Sequence, residues 1–296
     1  MICQPDESAA RAFADHSRLW RSCRYVYPVI SRRAGGVSLG VNLNPEKACN
    51  FACVYCQVDR KDPGPSHGVD VGTLRVELRL ALNAARSGQL WDEPRFATVP
   101  ESMRRLNDIA ISGDGEPTCV AGFDEAVQAA ADARAEAALD ALKLIVITNA
   151  TRLDSPPCLR AMGILRANNG EIWAKLDAGS EERFRRINRP RGGLTLRRVL
   201  DNIALAARLH PVVVQTLLFR LAGESPSRQD LLDYAAAVRG ILAAGGTVQL
   251  IQLYSLARRP AEESATPLSP AELDAAAALL GEQLPGVAIA TFPGVP

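Results

Sequence analysis

Short β-rich runs alternate with longer helical segments along most of the chain, and this alternation constrains the fold more than any other feature. Strand signals fall at residues 36–42, 108–112, 143–149, 171–177, 212–219 and 248–254, with 287–292 as a closing strand. Helical periodicity covers 73–87, 124–139, 155–168, 195–209, 228–243 and 270–283. Strands separated by helices of this length predict an α/β architecture, a parallel sheet wrapped by helices. Helix ends are also marked: Ser269 precedes Pro270 as an N-cap, and Gly170 and Gly245-Gly246 sit where helices stop. At 296 residues the chain fits one α/β barrel unit. The core must come mainly from Ala, Leu, Val and Ile, because aromatics make up only 5% of residues.

Several strands end on a polar residue where the next loop begins: Asn42, Ser112 with Gly113, Asn149, Asp177 and Tyr254. Barrel enzymes keep their chemistry at that edge. Within 171–177, Ile172, Ala174 and Leu176 share one face, while Trp173, Lys175 and Asp177 share the other. With the apolar face against the helices, Lys175 and Asp177 point into the barrel, either as functional groups or as an ion pair filling the interior.

No run of about 18 apolar residues occurs, and the first 20 residues lack the basic start and apolar stretch of a signal peptide. A cytoplasmic protein without a membrane partner is expected. The net charge of +1 does not call for nucleic acid, but basic residues cluster locally. Arg11, Arg18, Arg21, Arg24, Arg32 and Arg33 face Asp15 alone, and Arg183, Arg185, Arg186, Arg189, Arg191, Arg197 and Arg198 follow Glu181 and Glu182. Such runs are solvated helix faces or phosphate contacts. Lysine is scarce, present only at 47, 61, 143 and 175, which singles out Lys175. Seven cysteines, an odd number, favour a metal site over a disulfide framework.

Three of those cysteines lie in NPEKACNFACVYCQVDR, residues 44–60, where Cys49, Cys53 and Cys56 follow the first strand. A cubane iron-sulfur cluster takes soft thiolate ligands, and three of them leave one of its four irons open for chemistry. Zinc sites more often pair two Cys-x2-Cys knuckles, and no second knuckle is present. The segment 59–70 (DRKDPGPSHGVD), rich in Pro, Gly and charge, reads as a mobile loop over the site.

The three cysteines, with Tyr55 before the third, resemble the signature of the radical S-adenosylmethionine (SAM) superfamily. The resemblance implies a partial (β/α)6 TIM-type barrel of the radical SAM kind, a [4Fe-4S] cluster on Cys49, Cys53 and Cys56, and SAM chelated by the open iron. Residues 1–35 would then be an N-terminal basic extension and 36–296 the barrel with a short C-terminal helix-strand closure. At the next strand end, Ser112-Gly113-Asp114-Gly115-Glu116-Pro117-Thr118 is similar to the superfamily's glycine-glycine-glutamate element, with Asp114 in place of the middle glycine. Taken alone it could be an ordinary turn. As part of the resemblance, Gly113, Asp114, Gly115 and Glu116 would receive the SAM amino group through backbone carbonyls and the Glu116 carboxylate. By position, Tyr55, Asn149, Lys175 and Asp177 join the cofactor-binding set. Gln215, Gln252 and Tyr254 line the barrel floor or adenine site, or serve as interior polar packing. Lys175, Cys119 and Tyr254 are the candidate catalytic residues.

The order NLNPEKACNFACVYCQ, ISGDGEPT, VITNAT, KLDAGSEERFRRINRP and LYSLARRP resembles the wyosine-synthase-related branch over roughly residues 25–260. That branch condenses pyruvate with an N1-methylguanosine in tRNA and uses three upstream cysteines for a second cluster. Here only Cys3 and Cys23 lie upstream. No cysteine follows Cys158, so no auxiliary cluster of the C-terminal kind is expected. Cys119 and Cys158 reach the site or pack as small apolar residues. His16, His67 and His210 are scattered, and His67 alone lies near the cysteines in sequence. No flavodoxin-like segment is visible, so an external electron donor such as flavodoxin or ferredoxin is expected. The implied activity is reductive SAM cleavage and hydrogen abstraction from a substrate, a tRNA nucleoside or RNA first. A small-molecule or peptide modifier is the alternative within the class, and an iron-sulfur electron carrier or sensor the alternative outside it.

Overall fold

The structure is a computed structural model that describes residues 18–59, 64, 68–97 and 99–294. Cys3, Arg11, Asp15, His16, Lys61, His67 and most of the expected loop over the site lie outside the described residues.

The sheet has eight strands in the order β1-β2-β3-β4-β5-β6-β8-β10. Seven of them run parallel: β2 (Gly36–Asn42), β3 (Leu106–Ser112), β4 (Lys143–Thr148), β5 (Gly170–Lys175), β6 (Val212–Leu217), β8 (Val248–Tyr254) and β10 (Ile289–Phe292). Antiparallel β1 (Val26–Ser31) adds to the β2 edge. The helices are α1 (Val71–Arg86), α2 (Phe123–Glu136), α3 (Pro156–Ala167), α4 (Glu181–Asn188), α5 (Leu196–Leu209), α6 (Arg228–Ala243) and α7 (Pro270–Gln283). A separate antiparallel pair joins β7 (Phe219–Leu221) to β9 (Ala265–Pro267). This is the expected α/β partial barrel, a curled and mostly parallel sheet with helices outside.

Strand alternation divides the molecule into two apolar layers. Val37, Leu39, Val41, Ile109, Ile111, Leu144, Val146, Ile172, Ala174, Val214 and Ile251 belong to the main core with the helices. On α5, Leu196, Val199, Ile203, Ala206 and Ala207 recur at helical spacing and are buried in that core. Ala110, Ile145, Trp173 and Val213 form a second, small cluster on the inner face, so the barrel interior is only thinly filled with apolar groups. Both α6 and α7 open with a capping box, Ser227 with Asp230 and Ser269 with Glu272. Each box satisfies two helix-terminal donors and contributes on the order of 1 kcal/mol.

The strand signals do not include β1. Its entry is fastened by buried Glu77 of α1, whose carboxylate accepts from the backbone N–H of Arg24 at 2.7 Å, Tyr25 at 2.8 Å and Val26 at 3.1 Å. Strand signal 212–219 is interrupted at Leu218, where β6 ends and β7 begins in another sheet. The Leu217 N–H there donates to the Asp177 carboxylate at 2.8 Å instead of continuing the ladder.

Candidate active site

The segment after β2 carries the three cysteines and is held from two sides. Its backbone bonds to the chain leaving α4: Ala52 N donates to Arg189 O at 3.1 Å, Val54 N to Ile187 O at 2.9 Å, and Arg191 N to Asn50 O at 2.9 Å. Phe51 packs edge-on against Phe184 of α4, with ring centroids 5.5 Å apart. On the other side, the Asn50 side chain donates to Thr151 Oγ1 and accepts from Asn149 Nδ2, each at 2.7 Å. Cys49, Cys53 and Cys56 thereby line one cavity of about 170 Å³, together with Tyr55, Gly113, Gly115, Glu116, Asn149, Lys175 and Asp177. Asp114 is the one expected cofactor-binding residue not on that wall.

The turn after β3 closes against the cysteine loop. Gly113 has φ 130°, a conformation that L side chains rarely adopt, and a Cβ on Gly115 would lie 1.9 Å from Ala48 O. Asp114 links two elements instead: its N–H donates to Asn42 Oδ1 at 3.0 Å, its Oδ2 accepts from Asn42 Nδ2 at 2.7 Å, and it pairs with Arg18. Buried Glu116 accepts from Thr118 N at 3.1 Å, Thr118 Oγ1 and Thr148 Oγ1 at 2.6 Å each, and Asn149 N at 2.7 Å. Burial raises its carboxyl above the ordinary value, and these donors oppose the shift. Three of the four bonds fall on Oε1, so Oε2 keeps acceptor capacity toward the cavity.

Lys175 and Asp177 both face the interior, as the alternation in 171–177 predicts. Asp177 is 4% exposed; its Oδ2 meets the Tyr55 hydroxyl and accepts from Asn188 Nδ2 at 3.1 Å. Lys175 Nζ donates to Tyr254 Oη at 2.7 Å and lies 3.4 Å from Asp177 Oδ1. Burial alone would lower the Lys175 ammonium, but Asp177 and Tyr254 outweigh it and hold the pKa above its ordinary value. Gln215 and Gln252 stand beside Lys175 across adjacent strands and bond to each other, Nε2 to Oε1 at 2.9 Å, so their polar atoms pair within the interior.

Asn188, at the end of α4, is the residue that sequence reasoning missed. Its Nδ2 reaches Tyr55 Oη at 2.9 Å and Cys53 Sγ at 3.7 Å, while its Oδ1 is buried without a partner among the described residues. The available signal was spacing: Phe184, Ile187 and Asn188 fall on one helical face, which puts a polar side chain in a buried stripe. Cys119 is not brought to this cavity; it lines a separate cleft with Asn50, Arg152, Arg191 and Arg198. Cys23 and Cys158 are buried, and all six described cysteines are free.

Among the described residues no three Cys, His, Asp or Glu side chains converge on one point as ligands of a single ion. Three thiols spread around a cavity wall fit a cube, where each binds a different iron. The close-packed Gly113–Gly115 backbone and the unpartnered Asn188 Oδ1 fit a polar group seated beside it.

The family model of the radical SAM superfamily matches residues 43–235. The chain belongs to the radical SAM superfamily, an enzyme class whose cofactors are a [4Fe-4S] cluster and SAM. A UPF0026 protein of Helicobacter pylori (strain J99) is 25% identical over 210 residues, covering 69% of this chain and 59% of its own length. The chain thus spans about three-fifths of that relative. In fold it is similar to a radical SAM methyltransferase from Sphaerobacter thermophilus, with a TM-score of 0.60, 14% identity, and coverage of 90% of this chain and 68% of the other. It is also similar to TYW1 solved with a lysine-pyruvate adduct bound, with a TM-score of 0.52, 16% identity, and coverage of 83% and 73%. Among the described residues no helix is long and apolar enough to cross a membrane.

Proposed function

We propose that Cys49, Cys53 and Cys56 hold the cluster, that Gly113 to Glu116 and Asn149 receive SAM, and that the enzyme abstracts hydrogen from a substrate in the barrel interior. The carrying observation is a shared wall. Tyr55, Cys56, Ser112, Gly113, Ile147 and Lys175 line both the cysteine cavity and a larger interior cavity of about 290 Å³. When bound, the cluster and SAM supply one-electron reductive cleavage and, from it, hydrogen-atom abstraction.

The chain's own residues bind and orient. Glu116 Oε2 and the Gly113–Gly115 carbonyls offer acceptors for an ammonium group, and Asn149 shares that edge. Lys175, kept cationic by Asp177 and Tyr254, suits an anionic group on SAM or substrate better than carbonyl condensation, which needs a neutral amine. Asp177 and Asn188 act as positioning residues, holding the cysteine loop in place through the Tyr55 hydroxyl. A tRNA nucleoside is the substrate class supported by the wyosine-related segments, with flavodoxin or ferredoxin as electron donor. The modest size of the interior cavity, about 290 Å³, favours, as a second reading, a small-molecule substrate.

Single alanine variants at Cys49, Cys53 and Cys56 test the assignment, with Cys158→Ala as the control. Each of the three is expected to lose the cluster's visible absorbance and at least 100-fold of 5′-deoxyadenosine formation, the control neither. Full cluster absorbance and activity in any of the three would refute its role as a ligand.

A further inference from the structure

The larger interior cavity carries a charge imbalance that cofactor binding does not use. Among the described residues five cations line it, Arg18, Arg32, Arg33, Lys175 and Arg258, against a single carboxylate, Asp108. Two of the five are paired: Arg18 with Asp114 and Lys175 with Asp177. Among the described residues the other three guanidiniums form no ion pair within 4.0 Å, although Arg33 is near enough to Asp108 to favour its ionised form. Arg33 lies against two rings, 4.9 Å from the Tyr254 centroid and 5.8 Å from that of Trp173. Arg32 reaches the Pro293 carbonyl just beyond β10.

Arg258 is set by the loop after β8. That loop docks on the cysteine segment through Ala261 N to Cys56 O at 2.9 Å and Gln57 Nε2 to Arg258 O at 3.3 Å. Like charges in a partly buried space repel. Burial, with Arg33 beside it, lowers Arg32 to about 10, and burial, with Arg18 and Arg33 beside it, lowers Arg258 to about 10. Arg32 and Arg33 also make local contacts, with the Pro293 carbonyl and with the Tyr254 and Trp173 rings, but none of these supplies a counter-charge.

The geometry points to Arg32, Arg33 and Arg258 as an anion subsite for a phosphate-bearing substrate, one end held by the arginines and the reacting carbon directed toward the wall shared with the cofactor cavity. The inference rests on the proposed radical SAM activity and names the substrate class for it. Guanidiniums present paired N–H donors that match phosphate oxygens, and a dianion neutralises most of a three-positive cluster. The phosphate belongs either to a free phosphate ester or to RNA; both meet the same arginines.

Calorimetric titration of inorganic pyrophosphate into the anaerobic, cluster-loaded enzyme saturated with SAM tests the subsite. One site per chain is expected, weakened at least tenfold in Arg258→Met and in Arg33→Gln, and largely retained in Arg258→Lys and in the surface control Lys143→Met. Absence of pyrophosphate binding by the unaltered enzyme overturns the subsite with no variant needed, as does unchanged affinity in both neutral variants. Parallel titrations with bulk tRNA and with a nucleoside 5′-monophosphate separate the two sources by which of the two loses affinity in Arg258→Met. Deoxyadenosine formation is read on the same samples. Pyrophosphate binding without SAM cleavage leaves the subsite standing and removes the activity it serves, whereas SAM cleavage without pyrophosphate binding removes the subsite alone.

Discussion

Asp108 shows how sharply single residues in the interior respond to burial. It is 2% exposed on the inner face of β3, and its Oδ1 accepts from Ser38 Oγ. Burial pushes its carboxyl up to about 6; the Ser38 hydroxyl and the nearby Arg33 and Lys143 favour the ionised form, and Glu171 opposes it. Because the folded state holds this proton more tightly than the unfolded chain, stability falls as pH rises from about 4 to about 6 and is level above that. Asp108→Asn keeps an acceptor for Ser38 and removes the buried charge. The variant is expected to gain about 2 kcal/mol in urea unfolding at pH 7.5, with the gain gone at pH 4. A destabilised variant at pH 7.5 would show that the charge is satisfied in place. At this scale the sequence was most legible where chemistry depends on residue type: the three cysteines, Glu116, Lys175 and Asp177 all line one cavity. Asn188 was not legible as a site residue, because its partners lie far along the chain, at Cys53 and Tyr55.

At the scale of elements, the two loops that build the site are locked by contact between backbones. A methyl group on Gly115 would meet Ala48 O at 1.9 Å and the Asn44 side chain at 2.7 Å, and neither is a flexible tip that can swing away. Gly115→Ala is therefore expected to cost about 2 kcal/mol and to lower iron retention several-fold, through displacement of the cysteine loop. Gly163→Ala is the internal comparison: it sits in α3 with nothing within 4 Å of the added carbon, and a gain of about 0.5–1 kcal/mol is expected. Equal effects at the two positions would disprove the close-contact account. The long helices were legible from periodicity, and 228–243 and 270–283 coincide with α6 and α7. Shorter elements escaped for physical reasons. In β1 (VYPVIS) a proline interrupts the strand pattern, which an edge position tolerates. In α4 (EERFRRIN) only Phe184 and Ile187 are apolar, too few to reveal a period over eight residues.

For the molecule as a whole, the fold brings the candidate site to the C-terminal edge of the parallel strands, where Asn42, Ser112, Lys175 and Tyr254 end their strands. Open-barrel architecture follows from the βα alternation, since parallel neighbours require helical crossovers. Substrate identity was not legible in the same way, because an interior cavity assembled from β1, β3, β5 and the loop after β8 has no local sequence signature. The most direct measurement is anaerobic reconstitution with iron and sulfide, reduction with dithionite, and assay of 5′-deoxyadenosine from SAM alongside an iron count. About four irons per chain, the content of one cubane, are expected together with deoxyadenosine. A protein that carries its cluster yet forms no deoxyadenosine, alone or with pyrophosphate-bearing and tRNA substrates added, would contradict the proposed activity.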